Sequence, residues 1–173
     1  MDARSSAAAE SAAHELVVTR VFNAPREMVW KALTESDRLE RWWGPKGFTS
    51  RIHKLELRPG GTFLYSQRNA EGLEMWGKWV YREVVAPERL VVVSSFTDDK
   101  GNLIRHPFEP NWPLETLGTS TFTEDRGRTT VTVRMVPINA TESEQQTFFD
   151  GVNFMEEGFA GTWDKLDKYL ATL

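Results

Sequence analysis

The chain has 173 residues, a net charge of −4 and an isoelectric point near 5.5, with 27% charged and 40% hydrophobic residues. One domain is the ordinary expectation for this length, long enough to bury a core without staples. The absence of cysteine excludes disulfides, thiolate metal sites and cysteine nucleophiles. The lack of a basic surplus argues against nucleic acid as a partner. No apolar run approaches the roughly 20 residues of a membrane-spanning helix.

Residues 1–14, MDARSSAAAESAAH, lack the basic start and apolar stretch of a signal peptide and predict a frayed tail, with the domain over 15–173 and a cytoplasmic setting. Leu16 to Phe22 reads as a first strand. Asn23-Ala24-Pro25 reads as a helix start, with Asn as cap and Pro in the first turn. Ser36 and Asp37 offer a cap for a second short helix that leads into Trp42-Trp43 and ends at Gly44-Pro45-Lys46-Gly47. Hairpin punctuation then takes over. Strands are predicted over Phe48–Arg58, Thr62–Arg68, Leu73–Val85, Leu90–Thr97, Leu114–Thr123 and Arg128–Val136, with a looser proline-bearing segment, Asn102–Pro113. Turns this short imply antiparallel pairing.

The C-terminal stretch carries the strongest periodicity. Phe148, Val152, Met155, Phe159, Trp163, Leu166 and Leu170 form one stripe of a 3.6-residue helix. Thr141 and Glu144 make a capping-box signature, so one helix of roughly 45 Å is expected from Thr141. Gly151 and Gly158 lie on a flank of the stripe; they fit either close packing or a kink, or room for a ligand beside the helix. The order β-α-α-β-β-β-β-β-β-α gives an α+β fold: six or seven antiparallel strands curl around one long helix and leave a cavity between them.

The runs FNAPREMVWKALTESDRLERWWGPKGF, LRPGGTF, YREVVAPERLVVV and GTWDKLDKYL, in that order, resemble the branch of START-like (SRPBCC, Bet v 1-like) helix-grip proteins named after the activator of the heat-shock-protein-90 ATPase. The resemblance spans about Glu15 to Leu170 and implies the helix-grip fold. It implies no catalytic residue, because the superfamily includes lipid carriers, cyclases, hormone receptors, resistance proteins and co-chaperones. The matched motifs read as structural, with Trp42 and Trp43 plugging one end of the half-barrel.

Candidate site residues follow from strand alternation. On Phe48–Arg58, His53 shares a face with Leu55 and Leu57 and is expected to point inward, as a wall histidine or a general base. Phe63, Tyr65 and Gln67, then Met75, Gly77, Trp79 and Tyr81, form the less charged faces of the next two strands and should oppose Phe148, Val152, Met155 and Phe159. The segment Arg105–Pro113 holds Arg105, His106, Glu109 and Trp112, readable as a rigid connector, a lid or an anchor for an anion. His106 and Glu109 have the spacing of a metal pair, but Pro107 opposes the helical geometry and no third ligand is evident, so no metal and no cofactor are expected. The leading expectation is therefore binding of a hydrophobic or aromatic small molecule. A stress-related or chaperone-associated protein-interaction module is a second reading, and a cyclase or hydrolase using a cavity histidine a third. A homodimer covering Arg105–Pro113 is left open.

Overall fold

A computed structural model describes residues 15–173; the tail expected over 1–14, with His14, lies outside the described residues. Seven strands form one antiparallel sheet: β1 (Leu16–Phe22), β2 (Phe48–Leu55), β3 (Thr62–Asn69), β4 (Glu74–Val85), β5 (Arg89–Thr97), β6 (Glu115–Asp125) and β7 (Arg128–Ile138). Their spatial order is β1-β7-β6-β5-β4-β3-β2, so the first two strands in sequence are the two edges of the sheet. The chain between those edges is helical, α1 (Arg26–Thr34) and α2 (Ser36–Trp42), and it closes one end of the curved sheet. Two more helices follow β7: α3 (Glu142–Asp150) and α4 (Val152–Leu170). This is the α+β helix-grip architecture expected from the element order.

Packing explains why α4 lies across the concave face. Trp163, Leu166 and Leu170 are buried against Phe22, Val29, Leu39 and Trp42. Trp163 meets Phe22 edge-on at 5.5 Å and stacks on Trp42 at 6.2 Å. Trp42 in turn donates its indole N–H to the Ala32 carbonyl at 2.9 Å, which satisfies the one polar atom of a ring that is otherwise apolar. Arg20 of β1 donates to Asp164 at 2.8 Å and to Asp167 at 2.5 Å, tying the edge strand to the helix.

Three local expectations change. The single 45 Å helix is divided at Gly151, whose φ of −89° and ψ of 0° interrupt the helix. A Cβ there would lie 3.1 Å from the Trp112 ring, so a glycine at the break lets that ring pack close. The nineteen residues of α4 span about 28 Å. The capping box is present as expected, with Thr141 Oγ1 accepting from the Glu144 N–H and Glu144 Oε1 from the Thr141 N–H, both at 3.1 Å. At α1, by contrast, Asn23 is not the cap: Pro25 holds that position, and the Glu124 carboxylate accepts the Arg26 N–H at 2.6 Å from across the fold. At α2, Glu35 is the cap residue, without a side-chain bond, and Ser36 is already helical.

The third change reverses a facing. The β2–β3 register slips between Ile52 and Lys54, leaving His53 as the extra residue of a bulge. Ile52 pairs with Tyr65 and Leu55 with Phe63, so both face the core, while His53 is exposed on the outer face. There it stacks on Trp76 at 4.2 Å and its Nε2 shares a 2.8 Å hydrogen bond with Ser66.

Glycines at two positions separate close packing from open space. Across the β3–β4 pair Tyr65 lies over Gly77, where a Cβ would overlap its ring; beside Gly158 of α4 nothing lies within 4 Å. Gly158→Ala is therefore expected to stabilise by about 1 kcal/mol, raising Tm by about 2–4 °C. Gly77→Ala should destabilise by about 1–3 kcal/mol, because the phenol must leave its seat. Thermal unfolding of the two variants checks the opposite signs.

Candidate functional site

A cavity of about 390 Å³ lies between the sheet and α4. Alternation along the strands builds its floor: Tyr65 and Gln67 of β3, Trp79 of β4, Leu90, Val92 and Ser94 of β5, Gly118, Ser120 and Phe122 of β6, and Val133 and Met135 of β7. The register sets these side by side, with Ser94 beside Trp79, Gly118 between Val92 and Met135, and Ser120 between Leu90 and Val133. Glycine and serine on this floor fill little of the space above it. The roof is α4, through Met155, Phe159 and Trp163.

Pro45, Phe154 and Gly158 are the exposed members of the lining, so the mouth opens between α4 and the loop after α2. Phe154, Gly158 and Thr162 are spaced by four residues and form one ridge of α4, with Gly158 as a gap in it. Thr162 donates to the Gly44 carbonyl at 3.3 Å, and the Lys165 ammonium donates to the carbonyls of Gly44 and Phe48, both at 3.2 Å. Burial lowers the pKa of Lys165. These bonds hold the loop against the helix at one side of the mouth.

The cavity is apolar with a few neutral polar groups. Trp43 stands edge-on to Tyr65 at 4.5 Å and to Trp79 at 5.5 Å, forming an aromatic wall. Desolvation pushes the Tyr65 phenol up to about 12, so it stays protonated at neutral pH. Ser94 shares a 2.8 Å hydrogen bond with Thr116. The Trp163 indole N–H is buried without a partner among the described residues.

A family comparison bears on this geometry. The family described as activator of Hsp90 ATPase homolog 1-like protein matches residues 23–171. The chain belongs to that family. Solved structures share the fold of this family member. Protein Ms6760 of Mycobacterium smegmatis is 24% identical with a TM-score of 0.76, and the match covers 92% of each chain. A protein of Arthrobacter aurescens is 24% identical with a TM-score of 0.77, covering 94% of this chain and 89% of that one. A Staphylococcus epidermidis protein is 25% identical with a TM-score of 0.73, covering 92% and 90%. No curated protein matches the sequence. The family fold is consistent with a ligand-binding domain. Among the described residues no helix is long and apolar enough to cross a membrane, and no group of three or more His, Asp or Glu could hold a metal ion.

Of the residues singled out in the sequence, Tyr65, Trp79, Met155 and Phe159 meet at the cavity. Phe63 and Tyr81 point to the same side but are buried beneath it in the core, where desolvation raises the Tyr81 phenol pKa. Met75 pairs with Gln67 and stays outside the lining, as does Val152 on the first turn of α4. His53 is on the outer face. Strand alternation pointed to Gln67 and passed over the β5–β7 floor, whose serines and glycine carry no signal of a site in sequence.

Arg105, His106, Trp112 and Phe148 form a separate cluster that fastens the 103–113 segment to α3. Arg105 donates to the Glu144 carboxylate at 2.7 Å, so its charge is paired within the fold; the Thr141 N–H and then Arg105 hold Glu144 below the usual carboxylate range. Asn111 donates to Thr147 Oγ1 at 2.7 Å, and Trp112 packs on Phe148 at 5.4 Å. His106 Nδ1 accepts the N–H groups of Phe108 at 3.0 Å and Glu109 at 3.1 Å, which places the ring proton on Nε2.

Burial lowers the pKa of His106, opposed by the charge of Glu109. The bonds of the neutral ring are thus complete above the unfolded value of about 6.5 and lost as pH falls below it, through the folded value. Hydrogen exchange at the Phe108 and Glu109 amides, corrected for intrinsic rates, should lose protection as pH falls below about 6.5. Protection that persists until the whole protein unfolds in acid would contradict this role for the ring.

Proposed function

We propose that the protein is a binding module that takes a hydrophobic or aromatic small molecule into the cavity between the sheet and α4. The observation that carries this is the cavity itself: about 390 Å³, apolar, walled by aromatic rings and open at one mouth. That volume falls in the range of about 300–1,000 Å³ usual for ligand sites. Tyr65, Trp79, Met155 and Phe159 would contact the ligand, with Gln67 and Ser120 as polar partners. A cavity histidine acting as a base has no support, since among the described residues no histidine lines the space.

The neutral probe N-phenyl-1-naphthylamine tests the reading by fluorescence titration, with Trp43, Trp79 and Trp163 as energy donors at the walls. Saturable binding is expected. A Cβ at Gly118 would meet Val92 at 3.6 Å and Met135 at 3.8 Å, ordinary contacts, so Gly118→Val can raise the floor without forcing the strands apart. That variant, with a circular dichroism spectrum like that of the parent, should bind the probe at least tenfold more weakly. Undiminished binding by a folded Gly118→Val protein, matched by a folded Met155→Trp protein, would place the probe elsewhere and overturn the proposal.

A further inference from the structure

The walls of the cavity say more about its occupant than that it is apolar. Among the described residues, not one that lines the cavity is Asp, Glu, Lys, Arg or His. Two lysines beside the mouth loop are engaged within the fold: Lys165 with the carbonyls of Gly44 and Phe48, and Lys46 with Asp164. An ionised ligand inside would lose its water and find no counter-charge, the costliest kind of burial. The polar groups present are neutral dipoles, and they are not equally free. Ser94 is engaged with Thr116, and Thr162 with the carbonyls of Gly44 and Gly158. The Ser120 hydroxyl has no protein partner among the described residues, and Gln67 uses only its N–H, in a 3.4 Å contact to Ser50. A hydroxyl, an amide carbonyl and the unpartnered Trp163 indole N–H therefore remain for a ligand.

Size is the second constraint. An apolar cavity of about 150 Å³ takes up benzene. A space of about 390 Å³ is roughly two and a half times larger. The ring faces and edges of Tyr65, Trp79, Phe122 and Phe159 and the thioethers of Met135 and Met155 suit an aromatic occupant. We infer that the site selects an uncharged aromatic molecule of two or three rings bearing a hydroxyl or carbonyl edge, and rejects ionised molecules of the same shape. This rests on the cavity being the ligand site.

Calorimetric titration at neutral pH with 2-naphthol, 2-naphthoate and (2-naphthylmethyl)trimethylammonium separates the two ideas. Naphthol should bind at least tenfold more tightly than either ion and should displace N-phenyl-1-naphthylamine. Ser120→Ala should weaken naphthol about three- to tenfold and leave naphthalene unchanged. Equal binding of either ion overturns the charge selection while the cavity reading stands. Binding of N-phenyl-1-naphthylamine, which has three rings but no hydroxyl or carbonyl, without naphthol overturns the polar edge, as do equal effects of Ser120→Ala on naphthol and naphthalene. Failure of naphthol and N-phenyl-1-naphthylamine alike removes the cavity reading, and this inference with it.

Discussion

Everything in this fold depends on how α4 is held across the sheet, and it is held by one half only. Trp163, Leu166 and Leu170 sit at 5%, 0% and 7% exposure, pressed on Phe22, Leu39 and Trp42. Arg20 adds an ion-paired link at the same end of the helix. Toward its N-terminus α4 has no such anchor: Val152, Met155 and Phe159 are half-buried and Phe154 is exposed. The helix is thus docked at its C-terminal end and stands off the sheet at the other. A sheet floor of Ser94, Gly118 and Ser120 cannot fill that stand-off, whereas leucines at those places would. The cavity is the geometric result of tight docking at one end and small residues opposite the other.

The standing end needs support from elsewhere, and the 103–113 segment supplies it through α3. Arg105 to Glu144, Asn111 to Thr147 and Trp112 on Phe148 fasten that segment to the short helix. Glu144 serves twice, closing the capping box and receiving Arg105. Gly151 then lets α3 end and α4 begin in a new direction, with the Trp112 ring at the turn. A straight helix from Thr141 would have no such corner for that ring. The break explains why the apolar stripe, continuous in sequence, serves two surfaces: Phe148 packs under Trp112, and Met155 and Phe159 roof the cavity.

Much of the fold was legible because local signals and tertiary structure agree. The strand over Leu16–Phe22 has the expected ends, and hairpin turns predicted the antiparallel order. What failed in sequence failed where partners are distant. The cap of α1 comes from Glu124, 98 residues away, so Asn23 was a reasonable but unused candidate. Arg105 was weighed as an anchor for an anion because its partner, Glu144, is 39 residues on. His53 was misplaced by a bulge, which no alternation pattern reveals and which turns the following residue outward as well. Tyr65, Gln67 and Trp79 of the cavity wall were readable from the alternation of β3 and β4. The β5–β7 part was not, since Leu90–Val93 is apolar on both faces and the residues that make space are those without bulk.

The same contrast bears on what the protein can do. Charged residues in this chain do structural work at the perimeter: Arg20 with Asp164 and Asp167, Lys165 on the mouth loop, Arg105 with Glu144. The interior space receives none of them. A site built for acid–base chemistry would bring a titrating group to the reacting atoms, and here the one ionisable side chain in the lining, Tyr65, is held neutral by its burial. A site built to recognise an anion would leave a cation unpaired at its mouth, whereas Lys165 and Lys46 are both engaged. Discrimination in such a space must come from shape and from the few neutral dipoles. That makes Ser120 on the floor, Gln67 toward the loop and the Trp163 indole N–H the part of the wall able to distinguish one ligand from another.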